Sequence, residues 1–187
     1  MRQGANQLVL VLILLGLVRA QDKLPSFEDY PATRRFTGTP AGPRIETAQQ
    51  RMYRTRIREG VAKGWGVFRD GKPQDRPGPN FAGKMIVIDW GCGVPCLMTA
   101  VVDAESGTVY NLPISYDGVG GRDFTRPFLN IGYTMPQVAD VDFRENSRLM
   151  VIKATPKDQP KSWTYYFLWQ NNRWTLLRRI PLTAEDQ

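Results

Sequence analysis

The stretch WTYYFLWQNNRWTLLRRI, residues 163–180, decides the fold class of this chain. Trp163, Tyr165, Phe167 and Trp169 recur with period two, the mark of a strand with one apolar face. Asn171-Asn172 follow, and asparagine tolerates the left-handed conformation that a two-residue type I′ loop needs. Arg173 to Ile180 then returns as the partner strand. The loop predicts a register, with Trp169 opposite Trp174 and Phe167 opposite Leu176. Trp174 and Leu176 then join the four aromatics on one face. Such a face is either a packed core surface or an exposed platform for a sugar or peptide. Large exposed apolar patches are rare on soluble proteins, which favours the core.

Working towards the N-terminus, the same short-strand grammar repeats. Val138 to Phe143 and Arg148 to Ala154 read as a strand pair around Glu145-Asn146-Ser147. Met85 to Trp90 carries β-branched Ile86, Val87 and Ile88, and Leu97 to Asp103 is the next run. Ala104-Glu105-Ser106-Gly107 is a tight turn with Gly107 available for positive φ, and Thr108 to Leu112 completes that hairpin. Gly64 to Pro79 and the Gly- and Pro-rich 115–136 segment read as loops, and Pro156 to Pro160 as a turn.

Ile45 to Lys63 is the one strong helical candidate, with Ile45, Ala48, Met52, Ile57 and Val61 at near-helical spacing and Gly60 or Gly64 to stop it. The expected fold is therefore α+β: one N-terminal amphipathic helix packed on a mostly antiparallel, hairpin-rich β-sheet. Residues 44–187 form a single domain in this reading, and Gln21 to Pro43 an extended, partly mobile lead-in. The 187 residues suffice for one core, and no fixed-period repeat is present.

The first twenty residues read as an address. Arg2 supplies a positive start, Leu8 to Val18 an apolar run of 11 residues, and Val18-Arg19-Ala20 the small residues before a cleavage site. Eleven apolar residues are too few to span a bilayer. The expectation is a secretory signal cleaved near Ala20 and a soluble periplasmic or secreted protein with no membrane span after cleavage. Loss of Arg2 and Arg19 lowers the formal charge from +7 to +5.

That positive charge is concentrated. Residues 34–63 hold eight Lys and Arg (34, 35, 44, 51, 54, 56, 58, 63) against Glu46 and Glu59. Arg51, Arg54 and Arg58 share the polar side of the helical candidate. They form a candidate anion-binding surface, although a solvated helix face is the commoner meaning of such a run. Nucleic acid is not an expected partner of an exported chain.

The chain has no histidine. That removes the Ser-His-Asp triad, the Cys-His dyad and His-ligated zinc. The two cysteines lie in Trp90-Gly91-Cys92-Gly93-Val94-Pro95-Cys96. In an exported chain, Cys92 and Cys96 are expected to form a disulfide that locks a local turn. A redox pair or a Cu(I) site formed by the two thiolates is the alternative.

Asp89 stands in an otherwise apolar strand just before this loop, where burial would raise its pKa and suit acid/base work, or where it is simply a satisfied structural carboxylate. Asp89, Trp90, Gly91 and Gly93 make up the candidate site loop. Asp140 and Asp142 share a strand face, but one pair falls short of the oxygen ligands calcium needs. Gly118-Val119-Gly120-Gly121-Arg122 lacks the spacing of a phosphate loop. No metal, cofactor or catalytic residue is assigned.

One resemblance is carried by Asn80-Phe81-Ala82-Gly83, Trp90-Gly91-Cys92-Gly93 with Cys96, Asp103-Ala104, Gly107, Val109-Tyr110 and Leu112-Pro113. Tyr53 to Arg58, Tyr165-Tyr166 and Trp169 extend it. The chain resembles a family of exported bacterial proteins with no assigned activity. Members carry a His shortly after Phe-Ala-Gly, where this chain has Lys84 and Met85. The resemblance implies compartment and fold unity and supplies no catalytic residue. The functional expectation is a monomeric, non-catalytic binding or envelope-interaction module for an envelope or extracellular ligand.

Overall fold

A computed structural model describes residues 23–64, 67–69, 72–74, 77–93, 96–115, 118–119, 138–154 and 161–183. Two antiparallel sheets dominate it. The first contains β3 (Met85–Gly93), β4 (Cys96–Asp103) and β5 (Val109–Asn111) in that order. The second runs β11-β10-β9-β8, formed by β8 (Val138–Phe143), β9 (Leu149–Ala154), β10 (Trp163–Gln170) and β11 (Arg173–Pro181). Two small hairpins, β1 (Val67–Arg69) with β2 (Lys72–Gln74) and β6 (Ile114–Ser115) with β7 (Gly118–Val119), stand apart. The first of these lies in a stretch expected to be loop. Three-residue strands are too short to show a hydrophobic period.

The aromatic hairpin has the expected register, with Trp169 opposite Trp174 and Phe167 opposite Leu176. Asn171 and Asn172 both have positive φ, 51° and 57°. Its aromatic face is core: Tyr165 is fully buried, and Phe167 and Trp169 nearly so. Leu176, opposite Phe167, is nonetheless 42% exposed, because β11 is the edge strand. An irregularity between Tyr166 and Phe167 places Tyr166 opposite Arg178, so Leu177 is the extra residue.

Strand β3 explains the layering. Successive side chains point to opposite faces of a strand. Met85 and Val87 join Val101, Phe143, Met150, Ile152, Tyr165 and Phe167 in a core between the two sheets. Ile86, Ile88 and Trp90 join Met98, Ala100 and Val102 in a second core on the other face. Ile57 and Val61 of a helix close that second core.

The expected single helix over 45–63 is two: α1 (Ala48–Met52) and α2 (Arg54–Lys63). Helix α1 opens on a capping box, with Gln50 N–H donating to Thr47 Oγ1 at 3.1 Å and Thr47 N–H donating to Gln50 Oε1 at 3.0 Å. The break falls at Tyr53, with φ −104° and ψ 15°. Its cause is visible in the spacing: Met52 and Ile57 are five apart, so one unbroken helix would not carry both on one stripe. Met52 is left 57% exposed, while Tyr53 packs its ring 5.4 Å from that of Trp90. Helix α2 continues through Gly60 and ends at Gly64 in the left-handed conformation.

The lead-in runs over the domain as a strap. Ala32 N–H donates to Asn146 C=O (2.8 Å), Phe36 N–H to Gly83 C=O (2.8 Å), Ala41 N–H to Ala104 C=O (2.8 Å) and Arg44 N–H to Gly107 C=O (2.7 Å). Gly83 and Gly107 make this seating possible. Both have positive φ, and a Cβ would stand 1.9 Å from Arg34 O at the first and 2.2 Å from Gly42 O at the second. Buried Ser147 anchors the strap's start, its hydroxyl lying 2.8 Å from Phe27 O and 3.0 Å from Tyr30 O.

Candidate functional site

Asp89 and Trp90 are neighbours in β3 and therefore face opposite ways. Asp89 lies on the inter-sheet face with Val87, opposite Thr99 of β4, and is 6% exposed. Burial pushes its carboxyl up to about 6, and a hydrogen bond with Thr99 offsets this only in part. Among the described residues its Oδ1 has no hydrogen-bond partner. Trp90 lies in the second core against Tyr53, with its indole N–H unpartnered as well. These two residues of the candidate site loop thus serve different cores and do not converge on a ligand.

The backbone of the cysteine segment is a hairpin end. Gly91 pairs with Leu97 and Gly93 with Cys96, with a register irregularity between them at Cys92. Cys92 therefore lies in a strand rather than at a helix start, the usual setting of a reactive C-x-x-C pair. The side chains of Cys92 and Cys96, and residues 94 and 95, lie outside the described residues. So does most of the 115–136 segment, including the glycine-rich stretch apart from the backbone at Gly118 and Val119. The Asp140 side chain is likewise outside them. Among the described residues, no group of acidic side chains could hold a metal ion.

The three candidate arginines part company. Arg51 donates to Glu46 C=O at 2.8 Å, and Arg54 donates to Arg51 C=O at 3.2 Å. Arg51 thus reaches back to a carbonyl before α1, and Arg54, at the start of α2, to a carbonyl in the last turn of α1. Arg58 instead lines an open groove of about 910 Å³. One wall is the strap from Phe36 to Pro43, the floor includes Val61 and Ala62 of α2, and the other wall is Pro77-Gly78-Pro79. Among the described residues no acidic side chain lines it, and Arg58 is its one charged group. Sequence reasoning missed both walls, because Pro and Gly clusters read only as breaks in regular structure. A smaller crevice of about 330 Å³ lies beside the strap at Ala32 to Arg35, Gly83 and Glu145-Asn146.

Lys84 and Asp103 form the most buried ion pair among the described residues, at 2.7 Å. Burial pushes Asp103 up, but Lys84 and the N–H groups of Glu105 and Ser106 hold it below the ordinary carboxylate value. Lys84 also reaches Glu105, which pairs in turn with Arg34 of the strap. The cation at this position is occupied in closing the β4–β5 turn against the strap.

No family model, curated protein or solved structure matches this chain. The reading of function therefore rests on the groove and the chemistry around it. No helix among the described residues is long and apolar enough to cross a membrane.

Proposed function

We propose that the chain is an exported binding module of the bacterial envelope that acts by holding a ligand rather than by transforming one. The groove between the strap and α2 carries this reading, because it is open and combines apolar side chains, an exposed strap main chain and, among the described residues, a single cationic side chain. Its volume is at the upper end of the range usual for ligand sites, about 300–1,000 Å³. Buried Asp89 stands away from it and is not part of its lining.

In the same proposal, residues 1–20 are a signal peptide, the mature protein is a soluble monomer, and Cys92 and Cys96 are joined. The main chains of the two cysteines are close in this hairpin end, with Gly93 opposite Cys96. The small loop it closes places its stabilisation at the low end for disulfides.

Expression in a bacterium with fractionation, intact mass and thiol titration tests these points together. The expected product is periplasmic or secreted, begins at Gln21, is monomeric on sizing and has no titratable thiol when denatured. Retention of an unprocessed chain in the cytoplasm would overturn the export reading. Two titratable thiols that bind Cu(I) stoichiometrically would replace the structural disulfide by a copper-handling pair.

A further inference from the structure

We propose that the groove beside Arg58 takes an acidic peptide segment, with a ligand carboxylate on the Arg58 guanidinium and the ligand main chain along the strap. This rests on the binding-module reading and names the class of its ligand.

The strap is the first observation. It is tied to the domain at Phe36 and again at Ala41, by N–H donation to Gly83 and Ala104. Between these ties, Thr37, Gly38 and Thr39 are exposed and line the groove. Their main chain makes no hydrogen bond among the described residues. The wall therefore offers N–H donors and C=O acceptors side by side, held in place from both ends. A peptide main chain carries both complementary groups. An acyl chain carries neither, and a phosphate supplies acceptors alone.

The second observation is charge. Arg58 is the one charged side chain among the described lining residues, and no ion pair with a described acidic residue engages it. A planar guanidinium binds a carboxylate through two parallel hydrogen bonds, which selects carboxylates by shape as well as by charge. Arg54 stands one helical turn before Arg58 and adds positive potential on that side. The remaining lining is mostly apolar, chiefly Phe36, Pro40, Pro43, Val61, Pro77 and Pro79, suited to the ligand's neighbouring side chains.

The test uses the purified protein and arrayed octapeptides that place one Glu among Phe, Leu, Pro and Gly in varied orders. Each peptide has counterparts with Gln and with Lys in place of the Glu. The best Glu peptides are expected to bind at least about tenfold more tightly than their Gln counterparts, the worth of one charge-assisted contact. Arg58→Gln should erase that difference, and Arg58→Glu should shift the preference to the Lys peptides. Arg58 is exposed, so both variants should keep the wild-type circular dichroism and melting temperature.

Amide shifts on titrating the best peptide should fall on Phe36 to Thr39, Gly42 and Arg58 to Ala62. Equal binding of Glu and Gln peptides would overturn the proposal, as would a preference that survives Arg58→Gln or shifts confined to other surfaces. Binding to phosphatidylglycerol vesicles with none to any peptide would overturn it in favour of a membrane surface. An unprocessed cytoplasmic chain that still shows the Glu preference would remove export and leave the groove's ligand class standing.

Discussion

A Cβ atom built on Gly60 of α2 would fall 2.1 Å from Cγ2 of Ile88 in β3. The helix main chain at Gly60 therefore rests directly on the Ile88 side chain. Gly60→Ala gains helix propensity, worth about 1 kcal/mol. It must also displace a fully buried isoleucine, and overpacking of this kind costs about 1–3 kcal/mol. A net loss of up to about 2 kcal/mol in urea denaturation is expected. Combining it with Ile88→Ala should cost less than the sum of the two single changes, because the second removes the atom struck by the first. Additive losses would show that the contact is not the cause.

Gly83 holds the strap in the same way, but through the main chain. Its φ is +77°, and a Cβ would stand 1.9 Å from Arg34 O. Gly83→Ala should lower stability by about 3 kcal/mol, combining left-handed strain with the clash. Limited trypsin digestion should then cut after Arg34 or Arg35 sooner than in the wild type. A wild-type cleavage rate at those sites would argue that the strap is held elsewhere.

Asp103 and Lys84 give a pH signature. The Asp103 carboxyl is held below its ordinary value in the folded state, so its contribution is present above the unfolded pKa and lost as pH falls through the folded one. Lys84→Met removes the cation from a buried carboxylate that keeps two backbone donors. A loss of about 2–3 kcal/mol at pH 7 is expected, near the lower limit for a broken buried pair. In acid the carboxyl is neutral, so the difference between variant and wild type should shrink. Urea midpoints measured from pH 7 down to pH 2.5 would show this, and a constant gap would contradict it.

Asp89 has the opposite sign. Its folded value is raised from 3.8 to about 6, so the folded state holds the proton more tightly than the unfolded chain. Its favourable contribution is complete below the unfolded value and is lost as pH rises through about 6. Keeping this carboxylate ionised and buried works against the native state by about 3 kcal/mol at neutral pH. Asp89→Asn should therefore raise the melting temperature at pH 7.5, with the gain vanishing below pH 4. A variant less stable than wild type at pH 7.5 would show that the charged carboxylate has a partner.

Local chemistry made much of the sheet legible. Period-two aromatics, the Asn171-Asn172 loop and Gly107 in its turn lead directly to the β10–β11 and β4–β5 hairpins, because register in a hairpin is settled within a few residues of the turn. The charge of the 34–63 segment and the burial risk at Asp89 are visible in the same way. Arg58 stands out only as one arginine among several.

What the sequence by itself determined is the register of the β10–β11 hairpin and the turns at 104–107 and 145–147. The tertiary structure alone decided which faces are covered. It stacked the two sheets so that β3 is buried on both sides, which turned Asp89 into a buried carboxylate. It also broke the helix at Tyr53 and laid the strap over Gly83 and Gly107, and so made a groove from prolines that read as interruptions. The physical reason is range. Turn geometry acts over a few residues, whereas burial and concave surface arise only when segments far apart in the chain, such as 36–43, 58–62 and 77–79, are brought together.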